Sequence, residues 1–165
     1  VIGANGSGKS TFAKILAGIV DADEGVGALA DVGYMAQKSY AFNMSLEKNI
    51  LINGEDKERC KKLMEALNIS HLASNKAKTL SGGETAKMAL ARIMMKDYKV
   101  LILDEPTAAM DRESVSLAEE LIKEYCKQTQ CVTILITHSL EQAKRMSDEI
   151  IEIDYGKIIK REVLE

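Results

Sequence analysis

Near its start the chain reads Gly3-Ala4-Asn5-Gly6-Ser7-Gly8-Lys9-Ser10, a full match to the pattern GxxxxGK[ST]. No other stretch constrains the fold as tightly, because the pattern works only where a strand feeds the turn and a helix leaves it. Val1-Ile2 reads as the end of that strand. The helix is expected from about Lys9 to Ala17, with Phe12, Ile15 and Leu16 at helical spacing as its apolar face. Glycines let successive backbone N–H groups converge on one anion, and the helix N-terminus adds partial positive charge. Lys9 brings a full positive charge to the β- and γ-phosphates of a nucleotide, and the Ser10 hydroxyl suits Mg²⁺. From average residue usage the pattern arises by chance about once in 30,000 positions. Gly3, Ala4, Asn5, Gly6, Ser7, Gly8, Lys9, Ser10 and Thr11 are therefore the candidate nucleotide-binding residues.

The remaining chain alternates strand and helix signals. A loop is expected over 21–31 and a short strand over Val32–Met35. Cys60, Leu63, Met64 and Leu67 recur at i, i+3, i+4, i+7 and predict a helix over Glu55–Leu67. A further helix is expected from Gly83 to about Met95, with Met88, Ala91 and Met95 on one side. Val100 to Leu103 is aliphatic without polar alternation, as in a strand covered on both faces. A helix over Ser114–Lys127, a strand over Val132–Ile136 and a helix over Leu140–Met146 follow. Glu149–Ile153 and Lys157–Ile159 around Tyr155-Gly156 read as a hairpin. This order predicts an α/β domain with a mostly parallel sheet. With one proline, no repeat and no low-complexity tract, the 165 residues read as one domain.

The strand over 100–103 ends in Asp104-Glu105, and strand C-termini line the ligand crevice of a parallel sheet. There Asp104 suits Mg²⁺, held through coordinated water, and Glu105 suits a general base for an attacking water. A solvated acidic pair is the bland alternative. His138 follows a strand and emerges at the same edge, within reach of a γ-phosphate, whereas His71 reads as a surface or packing residue. Ser81-Gly82-Gly83 opens a helix; alone it is a cap, and beside a phosphate loop it is a second anion nest.

Taken in order, GANGSGKS, Gln37 after a short strand, LSGGE, LILDEP and His138 resemble the ATP-binding cassette (ABC) ATPases, the nucleotide-binding subunits of ABC transporters. The resemblance spans essentially the whole chain. It implies a P-loop NTPase (RecA-like) core formed by 1–37 and 97–165, and a helical signature subdomain over about 38–96 within one partial ABC ATPase domain. In that family antiparallel strands precede the loop and carry an aromatic residue that stacks on adenine. A start at Val1, without Met or signal peptide, implies a piece of a longer frame that lacks them. By resemblance Gln37 contacts Mg²⁺ or the lytic water, Asp104 is the Walker B aspartate and Glu105 the catalytic glutamate. His138 is the switch histidine and Asp111 the D-loop aspartate. Ser81, Gly82 and Gly83 bind the γ-phosphate of ATP held by an opposite subunit in a head-to-tail dimer, with itself or a related ATPase. Ser10, Gln37 and Asp104 are the implied metal ligands, ATP and Mg²⁺ the implied cofactors. The implied partner is an integral membrane permease, with the chain peripheral on the cytoplasmic face. The stretch 137–145 resembles ATPase subunits of phosphate- and tungstate-type importers. Departures are LSGGE in place of LSGGQ, Thr85-Ala86-Lys87 after it, and Ala108-Ala109-Met110-Asp111 where Ser-Ala-Leu-Asp is commoner. The 42 residues from Lys38 to Thr79 carry Tyr40, Phe42 and Met44, which either dock the membrane partner or pack inside the subdomain.

Composition narrows the alternatives. With 46% apolar and 28% charged residues the chain is ordinary for a folded domain. A net charge of −3 provides no basic face for nucleic acid. No apolar run approaches the ~18 residues of a bilayer span. Three cysteines without CxxC spacing read as reduced thiols. A soluble ABC ATPase acting on ribosome or nucleic acid remains as an alternative, although that class carries two cassettes or long insertions. A non-hydrolysing regulator is disfavoured by Glu105 and His138.

Overall fold

The computed structural model describes residues 1–25 and 29–164. In chain order these form α1 (Lys9–Leu16), β1 (Val32–Met35), α2 (Leu46–Leu51), α3 (Lys57–Ala66), α4 (Gly82–Ile93), β2 (Val100–Asp104), α5 (Arg112–Thr129), β3 (Val132–Ile136), α6 (Leu140–Met146), β4 (Glu149–Asp154) and β5 (Lys157–Val163). Residues 21–25 and 29–31 of the expected loop carry neither helix nor strand; 26–28 lie outside the described residues. The chain divides into two compact units, one of Val1–Tyr34, Tyr98–Glu105 and Cys131–Glu165, the other of Met35–Asp97 and Pro106–Gln130.

The first unit is built on the aliphatic run of β2. It pairs in parallel with β3, Val100 opposite Val132 through Asp104 opposite Ile136, in a sheet of order β1-β2-β3. Side chains on both faces of such a strand must be covered. Leu101, Ile102 and Leu103 are fully buried, and Ile102 joins Ala13 of α1 and Ile136 of β3 in one core cluster. The buried residues of α1 are thus Lys9 and Ala13, with Phe12, Ile15 and Leu16 half-buried. Leu16 and Ala17 pack against that cluster. The first two residues join two sheets. Val1 N donates to Leu135 O (2.6 Å), and Thr137 N donates to Val1 O (3.1 Å). On the other side Ile2 N donates to Ile151 O and Ile153 N to Ile2 O, both at 2.9 Å. β4 and β5 form the expected antiparallel hairpin, longer than foreseen because β5 runs to Val163.

The second unit is mainly helical. α3 buries Cys60, Leu63 and Met64, α4 buries Met88 and Ala91, and α5 buries Ala118, Leu121, Ile122 and Tyr125. Residues 106–130 cluster here, whereas the sequence reading grouped them with the phosphate-loop core. The local reason is that α5 packs on the helical segment, with Tyr125 Oη donating to Lys96 O at 2.8 Å. α2 has no counterpart in the sequence reading. Its N-cap Ser45 accepts from Lys48 N, and its fully buried Asn49 organises the preceding segment. Asn49 Oδ1 accepts from Phe42 N (2.9 Å) and from the Arg92 guanidinium (3.3 Å), while Nδ2 donates to the Ser45 carbonyl at 3.0 Å. Tyr40 and Phe42 consequently stand outside: Tyr40 is 63% exposed and meets Phe42 edge-to-face at 4.9 Å, with Arg92 over the Phe42 ring. Met44 is half-buried. All three cysteines are free thiols; burial, then the charge of Glu47, pushes Cys60 up to about 11, which keeps it protonated and inert.

Candidate functional site

The phosphate loop occupies the turn between Ile2 and α1, as its pattern requires. Gly8, at φ +105°, caps α1 without a side chain, and Ser10 (half-buried) and Thr11 (exposed) stand in the first helical turn. Ala4, Asn5 and Gly6 form the exposed crest. Lys9 reaches back across the loop: its Nζ donates to Gly3 O (2.9 Å) and Ala4 O (2.8 Å), and the residue is buried. An ammonium has three donors, so two hydrogen bonds position the charge without exhausting it. Ser7 Oγ is buried with no hydrogen-bond partner among the described residues.

Asp104 ends β2 and is only 2% exposed. Tyr34 Oη, on neighbouring β1, lies 3.5 Å from its Oδ2, and burial together with the Asp104 carboxylate pushes the Tyr34 phenol up to about 12. The phenol therefore stays protonated, and a donor, across the neutral range. Asp104 Oδ1 is buried and has no hydrogen-bond partner among the described residues. A buried carboxylate oxygen without a donor is strongly disfavoured unless a cation faces it. That orphaned oxygen fits Mg²⁺, which takes one or two protein carboxylates plus phosphate oxygens and water. Nothing in the sequence reading singled out Tyr34. Its place on the strand beside β2 is set by the strand order, which no local pattern encodes.

Glu105 follows at once, with φ +49°, a left-handed conformation unusual for a side chain of its length. Its N–H donates to Ile136 O at 2.9 Å, which ties the strained residue to the end of β3. His138, two residues beyond β3, places Nδ1 3.5 Å from Glu105 Oε2, whose side chain is 11% exposed. Strain of this kind costs on the order of 1–3 kcal/mol and concentrates at functional sites. The first unit thus brings Lys9, Asp104, Glu105 and His138 to the end of one parallel sheet.

Gln37 and the signature residues belong to the second unit. Gln37 is exposed just beyond β1. Ser81 caps α4 in a reciprocal box, accepting from Glu84 N (3.3 Å) while its own N–H donates to Glu84 Oε2 (2.7 Å). Those bonds hold the Glu84 carboxyl below its ordinary range. A side chain on Gly83 would crowd the neighbouring loop, since a Cβ would lie 3.0 Å from Ala109 O. Asp111 caps α5, accepting from Ser114 N (3.0 Å) and Ser114 Oγ (2.8 Å), which holds its carboxyl below the usual range. Ser81, Gly82, Gly83 and Asp111 line one groove of about 580 Å³ together with His71 and Lys87. His71 is exposed, in keeping with the surface residue expected of it, and lies on the wall of that groove.

A parallel sheet whose strand ends converge on a glycine-rich loop and its helix defines a P-loop nucleotide-binding protein. Residues 1–108 match the ABC transporter family. The tungstate uptake system ATP-binding protein TupC of Peptoclostridium acidaminophilum is 35% identical over 96% of this chain and 82% of that protein. The thiamine import ATP-binding protein ThiQ of Haemophilus ducreyi is 29% identical over 99% of the chain and 87% of that protein. Among solved structures, a dimeric ATP-binding cassette in a post-hydrolysis state, bound to ADP and Pi, superposes with a TM-score of 0.88. It covers 99% of this chain and 84% of that one at 19% identity, a likeness of fold. The chain belongs to the ABC transporter family and is an ABC-type ATPase.

Proposed function

We propose that this chain, one ABC ATPase domain over 1–165, is the nucleotide-binding subunit of an importer. It hydrolyses ATP to drive transport through a membrane permease. The observation that carries the reading is the cluster at the sheet end: the phosphate loop with its tied Lys9, the orphaned Asp104 Oδ1, and Glu105 held beside His138. Its direction, import, is supported by the uptake and import proteins to which the chain is similar.

In this reading the loop N–H groups and Lys9 bind the β- and γ-phosphates. Ser10, Gln37 and Asp104 would hold Mg²⁺, which when bound neutralises charge on the phosphate oxygens. Glu105 accepts a proton from the attacking water, and His138 keeps that carboxylate in place. Ser81, Gly82, Gly83 and Asp111 face the ATP of a second copy or a related ATPase in a head-to-tail dimer. The exposed Tyr40–Phe42 pair supports docking on the permease, which puts the chain on the cytoplasmic face of the membrane. Among the described residues no helix is long and apolar enough to cross a membrane.

The test is ATP turnover by the purified chain with and without membranes of its own source, stripped of peripheral proteins. Membranes are expected to stimulate turnover, and Tyr40→Asp to keep the basal rate while losing the stimulation. Equal turnover in both conditions contradicts the transport role and leaves the ATPase standing.

A further inference from the structure

The β4–β5 turn is a two-residue connection in which Tyr155 (φ +45°) and Gly156 (φ +74°) are both left-handed and Asp154 pairs with Lys157. That is the backbone of a tight hairpin turn of the primed type, whose central N–H groups take no part in the ladder. The N–H of Gly156 is directed outward and donates to Ser7 O at 2.8 Å. Two further approaches join the same partners. A Cβ on Gly8 would lie 3.3 Å from Gly156 Cα, and a Cβ on Gly3 would lie 2.1 Å from Ile153 O. Three positions of the phosphate loop, Gly3, Ser7 and Gly8, are thus shaped by a hairpin about 150 residues away in sequence.

The consequence follows from peptide geometry. In a trans peptide the carbonyl and the next N–H point in opposite directions, and the chain has no cis bonds among the described residues. A Ser7 carbonyl held toward the hairpin turns the Gly8 N–H away from it. Gly8 is the N-cap of α1, so its N–H stands with the unsatisfied donors at that helix end. We infer that Gly156 is a positioning residue for nucleotide binding: its N–H, by fixing the Ser7–Gly8 peptide, aims the Gly8 N–H at the phosphates. The inference rests on the reading that this loop holds the nucleotide's phosphates.

Tyr155 bears on the same point. A bulky residue at positive φ is an outlier that costs about 1 kcal/mol or more, and with 91% of its surface exposed no packing compensates it. The fold keeps the turn type that presents the Gly156 N–H even with an unfavourable residue beside it.

The test compares Gly156→Val with Gly156→Asn in the full chain. No heavy atom lies within 4 Å of a Cβ at Gly156, so the two variants differ chiefly in tolerance of positive φ. Gly156→Val forces the turn open and is expected to weaken binding of a fluorescent ATP analogue about tenfold, the equivalent of one lost charge-assisted hydrogen bond. KM should rise in parallel, with kcat at saturating ATP within about twofold of the parent. Gly156→Asn keeps both the turn and the N–H, and should retain affinity. A one-residue insertion in the turn, which displaces the N–H and preserves the β4–β5 ladder, should behave like Gly156→Val and decides the matter if that variant does not fold. Parental affinity in whichever folded variant lacks the bond overturns the inference, whatever its melting temperature. Lys9→Ala is the control: if it alone loses binding, the hairpin inference fails and the nucleotide reading stands. If Lys9→Ala binds as tightly as the parent, the nucleotide reading fails first.

Discussion

Glu105→Gln is expected to abolish ATP turnover while ATP still binds. The substitution is nearly isosteric, and Gln accepts the same left-handed backbone at about the same strain as Glu. The backbone bond to Ile136 O is untouched, and the side-chain amide still reaches His138. What disappears is the ability to take a proton from water. General-base catalysis contributes roughly 10²–10⁴-fold, so kcat should fall by at least a hundredfold with the dissociation constant for ATP nearly unchanged. Single-turnover hydrolysis beside an equilibrium titration separates the two quantities. Unimpaired hydrolysis removes Glu105 from the role of base and leaves the strain at φ +49° without a chemical purpose.

Lys9→Ala should act on binding instead. The ammonium supplies a full positive charge where the phosphates sit, and its bonds to Gly3 O and Ala4 O also close the loop on itself. A hydrogen bond to a charged group contributes ~1.5–3 kcal/mol, and the untied loop must then be ordered at binding. The expected loss of ATP affinity is therefore about a hundredfold. Alanine is a strong helix former, and Ala13 and Leu16, not Lys9, form the apolar contact of α1 with the core. The fold should survive, which melting of the free protein will show. Equal affinity in a titration contradicts the phosphate-loop assignment.

Features with a local chemical signature were legible in the sequence. The loop and helix around Gly3–Ser10, the doubly covered run 100–103 ending in Asp104-Glu105, and the hairpin around Tyr155-Gly156 all stand where residue pattern and turn chemistry place them, while the strand expected at Val1-Ile2 is present only as an isolated bridge from Ile2 to Glu152. What escaped has no such signature. α2, with six residues, is too short to display a 3.6-residue period, and its one clue is the capping Ser45. The Tyr34–Asp104 pair and the Gly156–Ser7 bond join residues 70 and more positions apart, set by strand order, which local pattern does not encode. The pairing of His138 with Glu105 was readable only as far as both follow strands of one parallel sheet. Its 3.5 Å separation comes from the in-register β2–β3 ladder. Tyr40 and Phe42 were ambiguous for the opposite reason: aromatic residues signal burial or a surface equally, and only the bonds of buried Asn49 to the segment around them turn those rings outward.

The central claim is that each ATP is enclosed by the Lys9 loop of one chain and the Ser81 cap of another. Mixing two inactive variants, Lys9→Ala and Ser81→Arg, tests it directly. The claim predicts that hydrolysis, absent from either variant alone, returns in the mixture, because a mixed pair contains one pocket with both Lys9 and Ser81 intact. A mixture as inactive as its components, or a Ser81→Arg chain that hydrolyses ATP unaided, contradicts it.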